Sequence, residues 1–164
     1  SEARAYHDGS FVWADSKTGV FQSSASNQFN VRASGGTRIF SDSTLTTGVV
    51  LVAGGGSWAA VSDSTVKKNI RSVNGEEILE RLSQLDITRW NYKTQDASVE
   101  HIGPMAQDFY RLFRVGDNNT TITTIDPDGI ALAAIKELTK KNDRLEAELK
   151  ELRELIEQLT ENGN

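Results

Sequence analysis

The chain has 164 residues, of which 37% are hydrophobic and 25% charged, with a net charge of −5. This is a globular composition with room for one or two small domains. There is no cysteine, which excludes disulfides, thiolate catalysis and cysteine-based metal sites. The two histidines, His7 and His101, lie far apart and form no metal-site motif, and nothing suggests a cofactor. The most apolar run, Val49 to Ala53, has the length of a strand, well short of the ~20 residues a membrane-spanning helix needs. The chain opens at Ser1 rather than at an initiator methionine or signal peptide, so a piece of a longer protein is expected.

Residues 1–61 balance four basic side chains against four acidic ones, so the whole excess of negative charge falls in residues 62–164. An acidic half with no basic patch argues against nucleic-acid binding. Residues 1–61 also hold eight of the thirteen glycines. Short alternating runs predict strands at Phe11–Trp13, Gln28–Arg32, Arg38–Phe40 and Val49–Val52. Turn signals separate them at Asp8-Gly9, Ser34-Gly35-Gly36 and Gly54-Gly55-Gly56. Strands this short carry too little apolar surface to build a core alone. An elongated, intertwined β-stalk that borrows its core from neighbouring subunits is the preferred reading, and a small β-sandwich is the alternative.

At the end of this region stands Ser62-Asp63-Ser64-Thr65-Val66-Lys67-Lys68-Asn69-Ile70. A serine hydroxyl needs a base to become nucleophilic, and a lysine amine can serve when burial lowers its pKa towards neutrality. Ser41-Asp42-Ser43-Thr44-Leu45 is a near-copy of this stretch, but the residue five after Ser41 is Thr46. Ser-Asp is a common turn element. Only the spacing from Ser62 to Lys67 is informative. The ordinary reading of Ser62-Asp63 is a cap for the residues that follow.

Beyond residue 70, Ile78, Leu79, Leu82 and Leu85 mark one face of a helix whose first turn carries Glu76 and Glu77. Ile87–Lys93 alternates as a strand, and Val99–Ile102 can pair with it through a loop at 94–98. Pro104 can open a second helix that turns Met105, Phe109, Leu112 and Phe113 inward. Thr120–Ile125 reads as a strand, and Asp126-Pro127-Asp128-Gly129 as a turn with Asp128 capping the next helix.

That last helix carries a heptad seam. Ile135, Asn142, Leu149 and Ile156 occupy a positions, and Leu138, Leu145, Leu152 and Leu159 occupy d positions. In a parallel, in-register bundle, Lys141 faces a neighbour's Glu146, and Glu148 faces Arg153. Asn142 in the seam favours a dimer, whereas Leu155 at a g position widens the stripe towards three or more strands. A long helix packed on its own domain is the alternative.

A β-rich stalk, Ser-Asp-x-x-x-Lys-x-Asn-Ile, His101-Ile102-Gly103-Pro104-Met105-Ala106-Gln107-Asp108-Phe109 and a terminal coiled coil follow one another in that order. Over about residues 61–160 this resembles the intramolecular chaperone domain of endosialidase-type phage tailspikes and tail fibres, peptidase family S74. Trp58-Ala59-Ala60-Val61 also resembles the usual approach to that family's cut site.

The resemblance implies a mixed α+β chain. A β-rich stalk end occupies 1–61, a chaperone core 62–129, and a parallel, trimeric coiled coil 130–164. It implies a homotrimer whose partners are its own copies and its own upstream fibre or spike, in a phage or prophage tail or a bacterial surface appendage, folded and cut in the bacterial cytoplasm. It places the nucleophile on Ser62, the base on Lys67 and the scissile bond at Val61–Ser62, with Asp63, Asn69, His101 and Gln107 in supporting motifs.

Asn69 is a candidate oxyanion donor, and His101 reads as structural because a Ser–Lys pair needs no histidine. Thr65 stands where many members have arginine, a departure that bears on the cleavage rate. Two other functions fit the sequence: a trimerisation module kept as a permanent cap, and a carbohydrate-binding tip built from 1–61. The second lacks the expected aromatic and carboxylate clustering.

Overall fold

The computed structural model describes residues 2–162. Among the described residues it is a mixed α and β chain with small sheets and three α-helices, the last of them long. Two compact units divide it, Ser1–Ile70 and Arg71–Asn164. Residues 62–70 therefore belong to the first unit.

The first unit begins as a parallel coil. Strands β1 (Glu2–Arg4), β2 (Phe11–Ala14), β3 (Val20–Gln22) and β4 (Phe29–Arg32) start nine residues apart. β1 pairs in parallel with β3, Glu2 opposite Val20, and β2 with β4, Phe11 opposite Phe29. Every pairing thus joins residues eighteen apart, one full coil. Left-handed residues at Gly9, Gly19, Asn27 and Gly36 turn the chain between strands. Gly9 sits at φ 69, a conformation that side chains disfavour, and a Cβ there would also press on the end of the Asn27 side chain of the next coil.

The polarity of the coil is uneven. Arg32 is partly buried, donating to Asp15 (3.3 Å) and to the Lys17 carbonyl (2.9 Å), while Phe11 and Phe29 stack in the open at 4.8 Å. Three strands follow the coil: β5 (Thr37–Phe40), β6 (Gly48–Leu51) and β7 (Ala59–Ala60), in an antiparallel meander. β1, β3 and β7 had no signal in the sequence.

The second unit holds all the buried hydrophobic residues found among those described. α1 (Gly75–Leu82) is capped by Asn74, whose side chain accepts from the Glu76 and Glu77 amides. α2 (Ala106–Phe113) buries Phe109, Leu112 and Phe113 and ends in a left-handed Arg114. These pack with Leu85 and with Ile130 of α3 (Ile125–Asn162). Arg81 Nη1 donates to the Leu112 carbonyl at 2.6 Å, pinning α1 to the end of α2 and satisfying one of its unpaired acceptors. A hairpin of β8 (Thr88–Trp90) and β9 (His101–Gly103) completes the unit.

Three expectations change here. Thr120–Ile125 is not a strand, because Asn118 Oδ1 gathers the Thr120 and Thr121 amides at 2.8 and 3.0 Å and diverts them from a ladder. Asp126–Gly129 is not a turn but the start of α3. Pro127 is tolerated there because the first N–H groups of a helix have no partner, and Asp128 lies inside the helix rather than capping it. The hairpin loop spans 91–100 rather than 94–98, so the returning strand starts at His101 instead of Val99.

Candidate functional site

Val61 ends the last ladder of the first unit. Ala59 and Ala60 pair with Val50 and Val49, and the Val61 amide donates to the Gly48 carbonyl at 3.0 Å. The chain then leaves the sheet. Asp63 is extended, and its Oδ1 accepts the Thr65 amide at 2.8 Å, which starts a single 3-10 turn at Ser64–Val66. The Val66 and Lys67 amides donate back to the Asp63 and Ser64 carbonyls, both at 3.3 Å. Lys67 resumes an extended backbone.

This compact turn returns the side chain of Lys67 to its own chain's serine. Nζ donates to Ser62 Oγ at 2.6 Å. Once the amine is neutral, the same two atoms are placed for Nζ to accept the hydroxyl proton. Both residues are exposed, so the single chain supplies no burial around the amine. The Thr65 amide and hydroxyl hold the Asp63 carboxyl below its ordinary range, so Asp63 stays an acceptor. Asn69 is left-handed (φ 57), and this backbone geometry suits asparagine whether or not its amide meets an oxyanion.

His101 and Gln107 lie in the second unit. His101 pairs with Trp90 across the hairpin, their rings 4.7 Å apart, and Tyr92 closes on both edgewise. Its Nε2 lies 2.9 Å from Gln95 Oε1. Gln107 is exposed on the first turn of α2. There it lines a cleft of about 930 Å³ between the hairpin and Thr120–Thr124, a feature no sequence signal announced.

The heptad seam does not pack on its own domain. α3 turns Ile130, Ala134 and Glu137 inward, while the aliphatic seam residues Ile135, Leu138, Leu145, Leu149, Leu152, Ile156 and Leu159 remain 52 to 73% exposed. Asn142 donates to Glu146 along the helix at 2.9 Å. No helix among the described residues is long and apolar enough to cross a membrane.

Residues 62–114 match the family model for peptidase S74, described as the chaperone of endosialidase. The match opens on Ser62 and contains Lys67, His101 and Gln107.

Proposed function

We propose that this chain, whose residues 62–114 form a chaperone-of-endosialidase domain, trimerises and folds the β-rich region ahead of it and then frees itself by cutting the Val61–Ser62 bond. The observation that carries the reading is the 2.6 Å contact between Lys67 Nζ and Ser62 Oγ at the first residue of the family match.

The chemistry follows from that contact. Neutral Lys67 Nζ takes the hydroxyl proton as Ser62 Oγ adds to the Val61 carbonyl carbon. The proton passes to the Ser62 nitrogen, the C–N bond breaks, and an ester joins Val61 to Ser62 Oγ. Water then adds to the ester, giving a Val61 carboxylate and restoring the Ser62 hydroxyl on a new N-terminus. Burial favours the neutral form of an amine, and assembly with neighbouring copies is the step proposed to supply it. Cutting then follows trimerisation.

The exposed seam supports assembly, because its flanking charges match in a parallel bundle. A coiled coil raises the effective concentration of three upstream segments, whose docking is otherwise slow. Removing it afterwards leaves the fibre kinetically stable. The match to a chaperone of endosialidase supports a phage tail as the setting of such a fibre.

Denaturing electrophoresis with mass spectrometry tests the reading on wild type, Ser62→Ala and Lys67→Ala. Fragments ending at Val61 and starting at Ser62 are expected from wild type alone. The exposure of Ser62 and Lys67 favours a second reading, a permanent trimerisation cap, and a wild-type trimer that stays whole would establish it.

A further inference from the structure

We infer that Asp63 is a positioning residue: by holding the Thr65 amide, it folds the turn that returns the Lys67 amine to Ser62. The inference rests on the Ser62–Lys67 reading and adds a third residue to it.

Lys67 lies five residues after Ser62, and an extended chain would carry it roughly 16 Å away. The single 3-10 turn at Ser64–Val66 shortens that path, and Asp63 Oδ1 on the Thr65 amide is the side-chain bond at its start. An isolated turn of three residues has little stability of its own, so a capping acceptor weighs heavily in its population. Asp63 has no ion pair with Lys67 among the described residues. It acts on the lysine through the backbone.

The near-copy at Ser41 shows the same device put to another use. Asp42 also receives the amide two residues on, Thr44, at 3.2 Å. There the carboxylate goes further, taking the Thr46 amide at 3.0 Å and the Thr47 amide at 2.8 Å. That captures the chain's backbone at the fifth residue and closes the β5–β6 loop. Ser41 Oγ turns instead to the Thr47 carbonyl at 3.3 Å. At Asp63 only the first of these backbone amides is held. The backbone is released into an extended Lys67, and the side chain at the fifth residue returns in its place.

The test compares Asp63→Asn, which keeps an acceptor oxygen, with Asp63→Ala, which does not, in the full chain. Cleavage should stay within about threefold of wild type in D63N and fall roughly 5- to 30-fold in D63A, the population lost with a capping acceptor. The midpoint of rate against pH should be unchanged in both. D63A as fast as wild type would overturn the inference. So would a D63N that is as slow as D63A or moves the midpoint, since the charge would then matter rather than the cap.

Amide exchange supplies an arm that does not depend on cleavage. D63A should accelerate exchange at Thr65 and leave Thr44, held by Asp42, at the wild-type rate, while D63N should alter neither. If wild type never cuts, autoproteolysis has failed. The cap is then decided by Thr65 alone, and unchanged exchange in D63A sinks it.

Discussion

Val61 is tied to Gly48, its amide donating to the Gly48 carbonyl at 3.0 Å one rung beyond the last β6–β7 pair. The acyl side of the proposed scissile bond is therefore fixed to a sheet, while its amine side opens a turn. Gly48 faces Phe40 across the β5–β6 ladder, and a Cβ there would overlap the Ile39 carbonyl and the Phe40 ring. Gly48→Ala should destabilise the meander by about 1–3 kcal/mol through overpacking. It should also slow cleavage, because the Val61 carbonyl moves with the strand. Urea midpoints and fragment yields measured on the same samples check both effects.

Lys67→Arg separates a proton acceptor from a mere positive charge. Arginine can still donate to Ser62 Oγ, but it does not lose its proton in proteins. Cleavage should fall by about 10²–10⁴-fold, the contribution of a general base, while trimer formation is retained. Retention of rapid cutting in K67R would assign the base to another group.

Acid should loosen the parallel coil. Ser34, foremost, then Lys17 and Arg32, donate to Asp15 and hold its carboxyl from the ordinary 3.8 down to about 2. Thr44, Thr47 and Thr46 depress Asp42 in the same direction. A depressed carboxyl contributes its stability in full above the unfolded value and loses it as pH falls through the folded one. The loss should therefore fall between about pH 4 and 2. Asp15→Asn should lower stability at pH 7 and flatten the decline in that window. Fluorescence of Trp13, with Trp58 and Trp90 replaced by phenylalanine, follows it.

Glu137 of α3 packs over Gly75 at the start of α1. A Cβ on Gly75 would come within 2.8 Å of the Glu137 Cβ, an atom that cannot swing aside. Gly75→Ala should cost the second unit about 1–3 kcal/mol despite alanine's better helix propensity. Thermal unfolding of the variant measures this, and a midpoint at or above wild type would show that α3 yields.

What the sequence made legible depended on where the determining interaction lies. The strands around Phe11, Phe29, Ile39 and Val49 were readable because apolar alternation and turn residues are local. β1 and β3 are three residues each, and the nine-residue spacing of consecutive strands is carried by backbone turns such as Gly9 and Asn27 rather than by similar side chains. The start of α3 was hidden by Asp-Pro-Asp-Gly, where the proline's penalty largely vanishes in a first helical turn. Ser62 and Lys67 were legible as a pair. The turn that closes the gap between them was not, because Asp42 in the near-copy begins with the same hydrogen bond and ends differently.

The seam of α3 offers the sharpest test of assembly. Its aliphatic residues are more than half exposed in the single chain, and water-exposed leucines and isoleucines along a heptad seam have no stabilising role in a lone helix. Leu149→Asp, near the middle of the seam, would bury a carboxylate in any bundle and should dissociate it. If burial by neighbouring copies is what neutralises Lys67, L149D should also stop cleavage while leaving the Ser62–Lys67 turn intact. Asn142→Ile should act in the opposite sense, raising the thermal midpoint by removing a buried amide while admitting other registers and strand numbers. Sedimentation equilibrium reports the strand number and electrophoresis the cut. An L149D monomer that cleaves at the wild-type rate would uncouple the two and leave the dyad to act within one chain.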